Sequence, residues 1–254
     1  MTDGSFEIFG LTAGPLAYSL VVVFLAGIVR GYSGFGFSAL CVASLTLVLP
    51  PAQVVPVILM LEVAASIGML PQVWRHIDWR ALLWLTLGAF CGAPFGVLFL
   101  AQVPADAARI VISLLVLAAS LILLLGYQFK GERGPKSTFA TGFVSGVVNG
   151  IGSVGGLPVV MFLLASAAGA AMTRAVVVAY FLTTDIYTTG LILTQGLLTW
   201  DLMGRLGLSL PPLYLGIAIG SRHFLKAQPE SFRRFTLTLL ILLALLGLVR
   251  ALVI

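Results

Sequence analysis

Apolar segments follow one another along this chain almost without a gap, over residues 12–49, 51–73, 81–101, 106–128, 138–167, 171–198, 202–221 and 235–253. A helix that crosses a bilayer needs about 20 apolar residues, and no stretch between these runs is long enough for a soluble domain. Only 9% of the 254 residues are charged, against about a quarter in soluble domains. Lipid must therefore be the solvent for most of the surface. The breaks fall at Pro50-Pro51, residues 75–80, Pro104, residues 130–136, Arg174, Asp201 and residues 222–234, with Trp74, Trp79, Trp84 and Trp200 beside them as interfacial anchors. The pattern predicts an all-α polytopic membrane protein.

The net charge of +5 does not point to nucleic acid, because the basic residues stand singly or in pairs at the ends of apolar runs. That placement is a topology signal. Cys41 and Cys91 lie inside apolar runs and read as small buried hydrophobes. Neither a metal site nor a cofactor is expected. Asp3 and Glu7 precede the first run, where a signal peptide would carry basic residues, so that run is expected in the mature protein.

An internal repeat is visible at an offset of roughly 120 residues. Gly27-Ile28-Val29-Arg30-Gly31 matches Gly146-Val147-Val148-Asn149-Gly150. A glycine- and serine-rich break follows each, at residues 32–36 and 151–156. Trp79 aligns with Trp200, Gly92/Gly96 with Gly216/Gly220, and Pro104 with Pro229. The halves are 1–130 and 131–254. Each is expected to open with a glycine-interrupted re-entrant or broken helix pair, followed by three transmembrane helices. Glycines weaken a helix and permit unusual backbone angles, and irregular backbone at membrane depth requires protein or a water-filled cavity around it.

Charge counting favours this reading. If the first run of each half enters and leaves on one side, or crosses twice, ten basic residues share a side: Arg75, Arg80, Lys130, Arg133, Lys136, Arg174, Arg222, Lys226, Arg233 and Arg234. Three, Arg109, Arg205 and Arg250, fall on the other. Eight single crossings give no such bias. The same count inverts the second half relative to the first and puts both termini away from the cytoplasm. Inverted repeats with glycine-interrupted segments at matching positions point to a transporter's midplane site.

The candidate site residues follow from the breaks. A short helix beginning near Phe35, and another near Val154 or Gly155, would aim free N–H groups and a positive dipole end at an anion. Arg30, Tyr32, Ser33, Gly34, Phe35 and Gly36 form the first break. Asn149, in the place of Arg30, with Gly152, Ser153 and Gly155, forms the second. The serines donate hydrogen bonds and the glycines let a ligand touch backbone. Close helix packing through Gly27/Gly31 and Gly142/Gly146/Gly150 is the competing explanation for the glycines. An arginine deep in a membrane segment is a functional hypothesis by default, with a salt bridge to Glu62 or Asp185 as the alternative. Glu62 and Asp185 lie near mid-run at similar depth and are candidates to carry a coupling proton. Tyr180, Thr184 and Tyr187 share one helix face and could line an oxyanion cavity. His76 and His223 lie at membrane edges.

Two motifs do not carry chemistry. Gly31-Tyr32-Ser33-Gly34 has the G-x-S-G spacing of intramembrane serine proteases, but neither histidine lies deep enough to act as its base. Residues 150–155 spell G-x-G-x-x-G without the strand and βαβ context that give it meaning. No catalytic residue is expected.

With these residues in hand, the chain resembles the TauE/SafE sulfite exporter family. The likeness rests on the duplicated glycine break (Gly27 to Gly36, Gly146 to Gly155), Pro51 to Pro56 opening the next helix, Ile77-Asp78-Trp79, and the 4+4 hydropathy pattern. The resemblance implies a multi-pass carrier in the cytoplasmic (inner) membrane that moves sulfite, sulfoacetate or a related organosulfonate. Alternating access would come from rocking one half against the other, with protons as the coupling ion. The expected partners are the small anion, protons and the bilayer, with a homo-oligomer compatible. A passive anion-selective channel, an intramembrane enzyme and an assembly subunit are the rival classes. Tyr32 and Phe35 are not mirrored by Ile151 and Val154, so the site is expected to be asymmetric.

Overall fold

The structure, a computed structural model, describes residues 7–125, 134–165, 169–223, 238 and 241–250. Lys130, Arg133, Lys226, Pro229, Arg233, Arg234 and the boundary expected at 130/131 lie outside them. The helices are α1 Ala13–Ser33, α2 Phe37–Leu45, α3 Pro51–Val73, α4 Trp79–Gln102, α5 Ala105–Leu124, α6 Pro135–Gly152, α7 Gly156–Ala165, α8 Ala170–Thr194 and α9 Trp200–His223. A further helix, α10, covers Ile241–Arg250. Among the described residues there is no strand, and six helices (α1, α3, α4, α5, α8 and α9) are long and apolar enough to cross a membrane.

The two glycine-rich breaks interrupt the helix at matching places. α1 ends where Gly34 turns left-handed (φ 80°) and its N–H closes onto Arg30 O at 2.8 Å. Gly36 (φ 89°) then launches α2. In the second half Ser153 takes the left-handed position at φ 55°, with its N–H on Asn149 O at 2.7 Å. A serine tolerates that region poorly, so the hydrogen bond and its packing must hold it there. The short helices begin at Phe37 and Gly156, slightly later than expected, because each break takes extra non-helical residues to redirect the chain.

The packing is reciprocal. α1 lies along α9, and α6 along α4, while α3 and α8 face each other. Glycines let the backbones touch. A Cβ on Gly92 would strike Phe143 O, and one on Gly216 would strike Phe24 O. Gly96 meets Val147 O in the same way, and Gly220 meets Ile28 O. Gly27, Gly31, Gly142, Gly146 and Gly150 are thus packing residues.

α1 spans about 31 Å, whereas α2 spans about 14 Å. α2 runs back beside α1, where the Tyr18 hydroxyl donates to Ser44 O at 3.4 Å. One end of the bundle gathers Arg205, which bonds Phe9 O at 2.9 Å and Gln53 Oε1 at 3.0 Å. Arg109 Nε reaches Thr46 O at 2.7 Å. At the other end Asp78, Arg80 and Trp84 meet Gly134, Pro135, Phe162 and Leu163 around a cavity of about 220 Å³. Trp74, Trp79 and Trp200 are exposed, as interfacial anchors are. Cys41 is buried, but Cys91 is exposed, on the outer face of α4 rather than inside the bundle. In lipid, a small apolar residue is as well placed outside as inside.

Candidate substrate site

Arg30, on the last turn of α1, is fully buried, and both terminal nitrogens of its guanidinium are engaged while Nε has no hydrogen-bond partner among the described residues. Nη2 lies 3.0 Å from Glu62 Oε2 and donates to Ser66 Oγ at 3.0 Å. Nη1 donates to Gly34 O, in the break itself. The Phe181 ring covers one face, with its centroid 4.7 Å from Cζ. Glu62 and Ser66 are one helical turn apart on α3, so both meet the same guanidinium.

Glu62 does a second thing. Its Oε1 accepts the Ser38 N–H at 3.3 Å, in the first turn of α2. The carboxylate therefore occupies the N-terminal end of the short helix and the arginine together. Those are the two donors at which a substrate anion was expected. The protein's own anion fills the place.

The second break also ends its helix on a left-handed residue, Ser153, but Gly155 lacks the positive φ of Gly36, and the charge differs. Asn149 stands in the place of Arg30. Its Nδ2 donates to Asp185 Oδ1 at 2.7 Å, and its Oδ1 accepts the Gly155 N–H at 3.3 Å. Arg30–Ser66 and Asn149–Asp185 are both separated by 36 residues along the chain. Asp185 thus holds the position of Ser66, and Phe181 that of Glu62. Ser145 bonds the Tyr180 hydroxyl at 2.6 Å and donates to Gly155 O. Asp185 Oδ2 and Ser153 Oγ are buried without a hydrogen-bond partner among the described residues.

Phe181 joins the two breaks. Its ring lies on Arg30 and fills the space where a Cβ on Gly156, at the start of α7, would sit. Arg174 reaches the first break from α8, donating to Gly31 O at 3.1 Å while its stem packs beside Gly34.

The structure brings Arg30, Gly34, Glu62, Asn149, Gly155, Tyr180 and Asp185 into these two clusters. Tyr32 is buried nearby and Phe35 packs at the edge of the core. Ser33 is turned to local work: its hydroxyl bonds Val29 O at 2.8 Å and Phe35 O at 2.6 Å, closing the break. Gly36 sets the left-handed entry to α2, and Gly152 lies against Ile112. Thr184 bonds back to Tyr180 O at 2.7 Å. Tyr187 leaves the cluster and stacks on Phe90, with centroids 4.3 Å apart. Ser38, Ser66, Ser145 and Phe181 were not foreseen. Carrying the repeat offset from Arg30/Asn149 to their partner positions would have found Ser66 and Phe181.

Discontinuous helices around buried charges, in a bundle of membrane-spanning length, define a membrane transport protein. The chain belongs to the sulfite exporter TauE/SafE family, whose model matches residues 19–246. It is similar to a probable sulfite/organosulfonate exporter TauE of Cupriavidus necator, 24% identical over 212 residues, which is 82% of this chain and 83% of that relative. No solved structure matches the chain.

Proposed function

We propose that this protein is a secondary carrier in the inner membrane, moving a sulfite- or organosulfonate-like anion in coupling with protons. The anion binds at the first break by taking Glu62's place on Arg30 and on the N-terminal end of α2. The observation that carries this reading is the placement of Glu62: a buried carboxylate already satisfies both donors, so the site has the charge and shape for one oxyanion. A planar guanidinium suits sulfite or sulfonate oxygens. The second break supplies hydroxyls and amides without a fixed positive charge.

In the same reading the halves are inverted repeats with re-entrant openings, α1–α2 from one side and α6–α7 from the other. Support comes from the return of α2 beside α1 and from the reciprocal pairing of α1 with α9 and α6 with α4. Among the described residues, Arg109 and Arg205 lie at the end that holds Phe9 and Gly10, whereas Arg75, Arg80 and Lys136 lie at the opposite end. The more basic end faces the cytoplasm, with both termini away from it. Alternating access does not rock one sequence half against the other, because the glycine contacts tie the halves together. The moving units are the pairs α1–α9 and α4–α6, turning about α3 and α8.

Proteoliposomes loaded against sulfite and then sulfoacetate test this. Saturable flux accelerated by a proton gradient is expected. Flux of either anion that never saturates would instead indicate a channel, and no flux of either would refute the substrate class.

A further inference from the structure

The two membrane-embedded carboxylates are not equivalent in their surroundings. Glu62 has one oxygen, Oε2, 3.0 Å from the Arg30 guanidinium in an ion pair that is not a hydrogen bond, and the other accepting the Ser38 N–H. Asp185 is as deeply buried. It receives one hydrogen bond, from the neutral Asn149, and Oδ2 has none. The ion pairs among the described residues are Arg30–Glu62 and Arg109–Asp106, so no cation is in contact with Asp185, and the Arg30 charge nearby is already paired with Glu62. The repeat makes the contrast sharp: the position that is arginine in the first half is asparagine in the second.

A carboxylate charge taken out of water needs a paired cation or full hydrogen bonding, and otherwise the group takes up a proton. Resting on the proposed anion transport, we infer that Asp185 is the site of the coupling proton, and that Glu62 is instead the counter-ion which the substrate displaces. The charged and titratable groups around Asp185 are Glu62 on α3, Arg30 on α1, and Tyr180 on its own helix. Arg174, on α8, faces the first break at the rim. With both carboxylates ionised, the inner group of Arg30, Glu62 and Asp185 is net negative and repels an arriving anion. A proton on Asp185 makes that group neutral. Proton and anion therefore favour each other's binding, and the two move together. Asn149 ties Asp185, through Nδ2, to the backbone of the second break, through Oδ1, and Phe181, one turn before Asp185 on α8, covers the Arg30 guanidinium of the first.

The test uses sulfoacetate, because protonated sulfite leaks through lipid as sulfur dioxide. Full-length protein in liposomes with an acid exterior should accumulate sulfoacetate. Asp185→Asn should reduce that accumulation at least tenfold while eluting as a folded, monodisperse protein on size-exclusion chromatography. Asp185→Glu should restore coupling. Glu62→Gln should stay coupled and bind the anion more tightly, having lost its internal competitor. Infrared difference spectra of the detergent-solubilised protein provide a readout independent of transport: a protonated-carboxyl band at neutral pH should vanish in Asp185→Asn. Absence of counterflow in the wild type would overturn the carrier reading itself. Wild-type counterflow combined with undiminished gradient-driven accumulation by Asp185→Asn, or with an infrared band that survives that substitution, would overturn only the assignment of the proton. Loss of coupling in Glu62→Gln but not in Asp185→Asn would reverse the two roles.

Discussion

The two breaks end their helices alike, at Gly34 and Ser153, but only the first takes a second left-handed residue, Gly36, and the two differ in charge. In each, a helix ends in a left-handed residue, closes onto the carbonyl of a polar side chain's residue four positions earlier, and restarts as a short helix. At the first, that polar residue is Arg30 with an anionic partner. At the second it is Asn149, and the acid beside it is in contact with no cation among the described residues. The breaks differ at three matched positions (30/149, 62/181 and 66/185), and in the proposed function these differences make the first an anion site and leave the second with an acid but no arginine. Phe181 also ties the halves together, since its ring lies against Gly156 at its own break and covers the arginine of the other.

The largest expected effect comes from the packing that both halves share. Gly92→Leu and Gly216→Leu each drive a side chain into a facing backbone carbonyl, which cannot move aside as a side chain would. Overpacking alone costs about 1–3 kcal/mol, and more where backbone must shift. Each variant should lose most of its monodisperse yield on size-exclusion chromatography. If one folds normally and the other does not, the halves are not packed reciprocally.

The charge difference can be broken from either side. Arg30→Gln should lose anion binding beyond detection by calorimetry while keeping most of its folded yield, because Glu62 can then be neutralised by a proton. Glu62→Ala should be the more damaging of the two to stability, since it strands a guanidinium that stays charged. Removing one partner of a buried pair costs about 3–5 kcal/mol. Thermal unfolding in detergent, compared between these variants, checks the order. Asn149→Arg would give the second break the charge of the first, and should pin Asp185 as an anion and remove the pH dependence of flux.

Smaller effects test the neighbours. Ser66→Ala removes one hydrogen bond to a charged group, worth about 1.5 kcal/mol, and should weaken or strengthen anion binding by about tenfold or less. Tyr187→Phe should leave binding unchanged, because its ring rather than its hydroxyl makes the contact with Phe90.

Much of this was legible in the sequence because membrane folds announce themselves through apolar length and glycine. The two breaks, Arg30, Asn149 and the pairing of Gly92/Gly96 with Gly216/Gly220 all followed from repeat alignment. The partners did not. Glu62 and Asp185 were matched by depth, whereas the repeat matches Asp185 with Ser66 and Glu62 with Phe181. Arginine is long enough to meet both Ser66 and a residue one turn away, so the first half gained a partner with no equivalent in the second. Ser33 and Ser153 were treated as a pair, but one closes its break with its hydroxyl and the other stands where Gly34 does. Phe181 carries no polar atom that would single it out in the sequence, and the fold reveals that it touches both breaks.

The most direct test of the account is a crystal structure grown with selenite, an oxyanion analogue of sulfite whose anomalous scattering fixes its position. Selenium is expected beside the Arg30 guanidinium and the first turn of α2, with the Glu62 carboxylate displaced from both. Selenium bound elsewhere in the bundle, with the Arg30–Glu62 pair intact, would contradict it.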